Sequence, residues 1–175
     1  DERDVAVKIQ YPDIAHVILD DIQNFAVLVR ILARLEPRFD FRVLVKEVTE
    51  LVPLELDFLH EASNAERMAA CLASHDDVIV PTVVRELTAR RLLVTEFAAD
   101  AVRCTDLAGL QRLGVDPRDV ARRLSELFAE MILVHGFFHG DPHPGNFLVQ
   151  PGGRIVLLDF GLAKALPDDF RENVV

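Results

Sequence analysis

Residues 139 to 161 leave this chain few ways to fold. His139-Gly140-Asp141-Pro142-His143-Pro144-Gly145-Asn146 sets two prolines and two glycines among polar side chains. That density of breakers excludes a regular helix or strand and specifies an irregular loop. Phe147 to Gln150, Pro151-Gly152-Gly153 and Arg154 to Leu158 then read as a strand, a tight turn and a returning strand. The hairpin carries the chain out and back, so Asn146 and Asp159, the first residue of Asp159-Phe160-Gly161, return to the same end of one sheet.

The residue types at that end define a chemistry. Asp141 and Asn146 stand five apart, a D-x-x-x-x-N spacing in which an aspartate orients a hydroxyl and an asparagine holds Mg²⁺. Asp159 adds a second hard oxygen ligand, and Mg²⁺ bound this way is completed by water and substrate phosphates. A third component lies near the start, in the apolar run Val5-Ala6-Val7-Lys8-Ile9-Gln10. Lysine is scarce here, three against sixteen arginines, so a lysine inside an apolar strand stands out. It resembles the V-A-I-K strand whose lysine meets the α- and β-phosphates. An ammonium in such a place needs a carboxylate partner; Glu55 and Glu61 are the candidates.

Elsewhere the pattern alternates between helix and short strands. Ile14, Ile18, Ile22, Phe25, Val29 and Leu32 form one apolar stripe on a long helix that Pro37 closes. Phe41 to Val52 and Leu54 to Leu72 predict two more, the last with Leu54, Phe58, Ala62, Ala65 and Ala69 on its apolar face. Val78-Ile79-Val80, Thr82-Val83-Val84 and Arg91 to Phe97 are strand-like, with a turn at Leu87 to Arg90. Asp116 and Pro117 open a helix striped by Val120, Leu124, Leu127, Met131 and Val134, and Gly136 stops it. Strands gathered in short groups among helices predict an α+β fold.

Composition narrows the class further. A net charge of −10 on 175 residues argues against a nucleic-acid partner. Half the residues are hydrophobic, which excludes a disordered chain, and no apolar run reaches the length of a membrane span. Cys71 and Cys104 lack metal-type spacing, and a reduced, cytoplasmic setting is expected. His135, His139 and His143 fall at steps of four, but Gly136 and Pro142 break any helix that would align them. The expectation is that His139 and His143 brace the loop by hydrogen bonds rather than bind zinc. The stripe Ile14–Leu32 carries Asp20 and Asp21 on its polar face, which favours packing against the body over a membrane surface.

Taken together, these residues resemble the UbiB family of atypical kinases, also described as AarF-domain or ADCK-like. The resemblance is carried by Val5 to Gln10 with Pro12, and by Glu55-Leu56-Asp57-Phe58 with Glu61-Ala62 and Asn64-Ala65-Glu66. Val94-Thr95-Glu96-Phe97, His139 to Asn146, and Leu157 to Gly161 complete it. It implies a partial two-lobed, protein-kinase-like fold with a helical insertion between the lysine strand and the glutamate helix. On that basis residues 1–97 form the N-lobe part, incomplete at its start, and 98–175 a truncated C-lobe part.

The resemblance also implies roles. Lys8 meets the ATP phosphates with Glu55 as its helical partner, Asp141 is the catalytic-loop aspartate, and Asn146 and Asp159 are the Mg²⁺ ligands. Glu96 lies at the nucleotide, and Glu61 contacts an upstream KxGQ segment. ATP and Mg²⁺ are the implied cofactors. A lipid or isoprenoid quinone precursor, with peripheral membrane contact, is the implied partner of the full-length protein. The loop also resembles aminoglycoside and choline phosphotransferases. A nucleotide-binding scaffold without turnover is a further alternative, as is a metal-dependent phosphoesterase prompted by Gly140 to His143. The start without Met and the early strand read as an internal excerpt of a longer protein.

Overall fold

The computed structural model describes residues 4–35 and 56–167, with isolated positions at 45, 48, 49 and 170. β1 (Val5–Ile9) pairs antiparallel with β3 (Leu92–Glu96), placing Lys8 opposite Leu93. Between them in sequence come α1 (Ile14–Leu35), α2 (Phe58–Cys71) and the short β2 (Val78–Ile79). β4 (Val102–Arg103), α3 (Leu107–Leu113), α4 (Pro117–Glu130) and β5 (Phe137–Phe138) follow. The hairpin β6 (Phe147–Val149) and β7 (Ile155–Leu157) and the final strand β8 (Lys164–Ala165) complete the order.

The hairpin forms as its sequence predicts, with Phe147 opposite Leu157, inside a four-stranded sheet of order β2-β7-β6-β4. β2 runs parallel to β7, and β5 pairs antiparallel with β8. This mixed arrangement is the expected α+β architecture. α4 also follows its signals. The Asp116 side chain accepts from the Arg118 N–H, Pro117 is the first helical residue, and Gly136 at φ 59° ends the π-type turn Met131–His135 that extends the helix. Val134, the last residue of the predicted stripe, is exposed.

α2 starts later than the sequence pattern implied. Asp57 is its cap, accepting from the Leu59 N–H at 3.0 Å, so the first helical residue is Phe58. Residues 51–55, including Leu54 and Glu55, lie outside the described residues. A side-chain acceptor that satisfies a free N–H sets a helix start more firmly than apolar spacing does. The buried face of α2 holds Phe58, Ala62, Ala65 and Met68, whereas Ala69 is exposed. Of the predicted run Phe41 to Val52, only Val45, Val48 and Thr49 are described; they are helical, and Thr49 Oγ1 donates to the Val45 carbonyl at 2.7 Å.

The core unites α2, α4 and the strands through Met68, Leu110, Leu127, Met131, Phe137, Phe147, Ile155 and Leu157. Burying one such side chain contributes roughly 1.5–3 kcal/mol, and this core is the floor on which the loop 139–146 rests. α1 is apolar on more than one side. Ile14, Ile18, Ile22 and Phe25 are partly buried and Val29 fully, but Leu32 from the same stripe is exposed, as are Val17, Val27, Leu28 and Ile31. Packing against the body therefore covers only part of its apolar surface. Among the described residues no helix is long and apolar enough to cross a membrane.

Candidate active site

Lys8 reaches the site from β1, an edge of its sheet. Its Nζ lies 3.0 and 2.9 Å from the two Glu61 carboxylate oxygens and 3.1 Å from Asp159 Oδ2. The Phe58 ring lies beneath, its centroid 5.2 Å from the ammonium. Among the described residues the helical partner of Lys8 is Glu61; the preferred Glu55 falls outside them. The physical reason lies in the helix. Glu61 follows Phe58 by three and precedes Ala65 by four, so it shares their buried face, where a carboxylate is retained only when paired.

Electrostatics within this triad follow from burial and charge. Burial alone works against the Lys8 ammonium, but the Glu61 and Asp159 carboxylates outweigh it and hold the pKa above the ordinary lysine value. Burial pushes the Glu61 carboxyl upward; the Lys8 charge opposes that shift and Asp159 adds to it.

The loop is braced from inside. His139 is fully buried, with its Nε2 2.7 Å from the Leu158 carbonyl and its Nδ1 accepting from the Asp141 N–H at 3.4 Å. Those two bonds require the neutral Nε2–H tautomer. Burial indeed holds the His139 pKa below the ordinary histidine value, against the pull of the Leu158 carbonyl and the nearby carboxylates. The rings of Phe147 and Phe160 flank it, each centroid 5.3 Å away. His143 Nδ1 accepts from the Gly145 N–H at 3.1 Å. His135 turns away, its Nε2 3.3 Å from Glu130, which also holds His75 at 2.8 Å. The three histidines thus occupy three separate settings.

Gly140 is at φ +79°, and a Cβ there would lie 1.9 Å from the Leu162 carbonyl oxygen. The position admits only glycine, because both the left-handed backbone and the contact exclude a side chain.

Asn146 and Asp159 meet at the end of the hairpin, where the Leu158 N–H donates to the Asn146 carbonyl at 2.9 Å. The Asn146 Nδ2 donates to Asp141 Oδ2 at 2.8 Å and to the Asp141 carbonyl at 3.3 Å. Its amide hydrogens are thereby occupied, which leaves the side-chain oxygen as the free donor atom for a cation. Asp159 has φ 59°, an unusual value for a residue with a side chain, and its Oδ1 accepts from the Gly161 N–H at 3.3 Å. An amide oxygen and a carboxylate form a hard-oxygen pair that fits Mg²⁺.

Two cavities border these groups. One, of about 300 Å³, is lined among others by Ala6, Lys8, Leu93, Thr95, Asn146 and Asp159. The other, of about 290 Å³, is lined by Lys8, Phe58, Glu61, Asp141, Asp159, Gly161 and Leu162. Leu93 and Thr95 face the first cavity from β3, whereas Glu96, the next residue, is not among its lining residues. The period-two alternation of a strand separates the two side chains. The structure thus gathers Lys8, Asp141, Asn146 and Asp159 around adjoining spaces and leaves Glu96 beside them.

The ABC1 atypical kinase-like domain matches residues 1–175. The AarF domain-containing protein kinase 1 of Gallus gallus is 42% identical over 98% of this chain, and that of Mus musculus 40% identical over 98%. This chain spans about a third of the length of those relatives, 34% and 33%. Among solved structures, the complex of Rv3197 with erythromycin from Mycobacterium tuberculosis superposes with a TM-score of 0.74. It is 34% identical and covers 94% of this chain and 41% of its own. The fold is protein-kinase-like, and the chain belongs to the ABC1 atypical kinase-like family.

Proposed function

We propose that this domain binds ATP with Mg²⁺ and supports phosphoryl transfer or ATP hydrolysis of the UbiB type. The observation that carries this reading is the convergence of Lys8, Asp141, Asn146 and Asp159 around two adjoining cavities. Little covalent chemistry is asked of a protein in such a reaction; positioning and charge stabilisation supply most of the rate. Lys8, held by Glu61, would neutralise the phosphates, and Asp141 would orient the attacking hydroxyl or water. Asn146 and Asp159 would hold Mg²⁺, which supplies charge neutralisation of the phosphate oxygens. The family resemblance extends the reading to a lipid or isoprenoid quinone precursor as acceptor, linked to ubiquinone biosynthesis, in a full-length protein with peripheral membrane contact.

Calorimetric titration of the full-length protein with ATP, with and without Mg²⁺, tests the core of this reading. Binding should depend on Mg²⁺, and Asp159→Asn should remove that dependence. Unchanged Mg²⁺-dependent affinity in the variant would sink the assignment.

A further inference from the structure

Phe160 is held through its backbone carbonyl, which accepts a 2.9 Å hydrogen bond from Asn64 Nδ2, an interaction buried from solvent. Glu61 and Asn64 stand one helical turn apart on α2, with 4% and 8% of their surfaces exposed. The other amide hydrogen of Asn64 points to His60 Nε2 at 3.1 Å, so both donors of the amide meet acceptors and its orientation is determined. The residue before Phe160 is Asp159, in the left-handed backbone region at φ 59°. Aspartate enters that region more readily than other residues with a Cβ, and hydrogen bonds to its neighbours hold it there. The Asp159 side chain supplies one restraint through the Gly161 N–H, and the grip on the adjoining Phe160 backbone supplies another.

We infer that Asn64 is a positioning residue that acts through Phe160 to hold Asp159 in its cation-ready backbone conformation. One helix then sets two things at once. Glu61 orients Lys8, and Asn64, three residues later, orients the metal-binding carboxylate. Displacing α2 would disturb both together. The inference rests on the nucleotide reading above for its functional consequence, but the clamp on Phe160 can be tested separately.

The test uses the full-length protein and two measurements. The first is backbone hydrogen exchange of residues 158–162 without nucleotide, where Asn64→Ala should speed exchange at least tenfold. The second is calorimetric titration with ATP in Mg²⁺ and in EDTA. Asn64→Ala should weaken binding in Mg²⁺ at least tenfold and binding in EDTA by less than twofold. Adding Asn64→Ala to Asp159→Asn should produce no further loss, because both changes act on one group. If Asn64→Ala does not fold by thermal melt, Asn64→Leu, which fills the space without a donor, carries the same expectations. Wild-type exchange together with wild-type Mg²⁺ dependence in a folded variant overturns the inference. A wild-type protein whose ATP binding ignores Mg²⁺ overturns the nucleotide reading and the effect on the cation site, while the exchange result still decides the clamp.

Discussion

Asn146 turns its amide nitrogen onto the Asp141 carboxylate at 2.8 Å, five residues back across the loop. The contact orients both groups. One Asp141 oxygen is engaged, and the Asn146 oxygen is freed for a cation. Asp141→Asn keeps the size of the side chain and can still accept from Asn146 through its remaining oxygen, so the loop should stay folded. Turnover by the full-length protein should fall by ~10²–10⁴-fold, the usual contribution of a positioned general base. ATP affinity should change by less than roughly tenfold. Collapsed affinity with normal turnover per bound ATP would make Asp141 a binding residue instead.

The pairing of Lys8 with Glu61 separates two glutamates that sequence alone left as rivals. Glu61→Gln should reduce ATP affinity or turnover tenfold or more, a loss of about 1.4 kcal/mol, and Glu55→Gln should do less. The pair also has an alkaline signature. A lysine pKa raised in the folded protein contributes stability that is complete below 10.5 and fades as pH rises through the raised value. Urea midpoints measured across that range should decline less steeply in Glu61→Gln than in the wild type. Equal declines would remove Glu61 as the partner that matters.

His139 has the opposite sign. Its folded pKa lies below the unfolded value of 6.5 because the ring is buried. The unfolded chain therefore takes up a proton first as pH falls, and the stability contributed by the neutral ring is present above 6.5 and lost on acidification through the folded pKa. Chemical unfolding between about pH 7 and 5 should show this loss, and His139→Gln should flatten it. A variant with the wild-type slope would mean that the ring is not held neutral.

Much of the site was legible because its signals are local. Proline, glycine and the alternation around Pro151-Gly152-Gly153 determine a hairpin within a dozen residues, and the hairpin alone brings Asn146 to Asp159. Asp116, Pro117 and Gly136 marked α4 for the same reason. Glu61 was harder to read, because the choice between two glutamates depends on the rotation of a helix whose start is set by the Asp57 cap. One signal was available: a carboxylate spaced three from Phe58 and four from Ala65 belongs to an apolar stripe and must have a partner. Asn64 had no comparable signal, since its acceptor lies 96 residues away in sequence and is a backbone carbonyl, which no side-chain pattern records.

Protein kinases that respond to activation-loop phosphorylation usually carry an arginine just before the catalytic aspartate; on the proposed role of Asp141, Gly140 occupies that place. Phosphorylation after Gly161 should accordingly fail to raise turnover tenfold, a gain that corresponds to about 1.4 kcal/mol; a phosphate there that did so would overturn the expectation.

The geometry at Gly140 reaches beyond present regulation to what this lineage can become. An arginine could enter only after the backbone at 140 and the carbonyl of Leu162 had both been rebuilt, since the Cβ alone would collide at 1.9 Å. A guanidinium at this position, and with it an arginine-read phosphate switch, is therefore closed off by sterics in the present backbone.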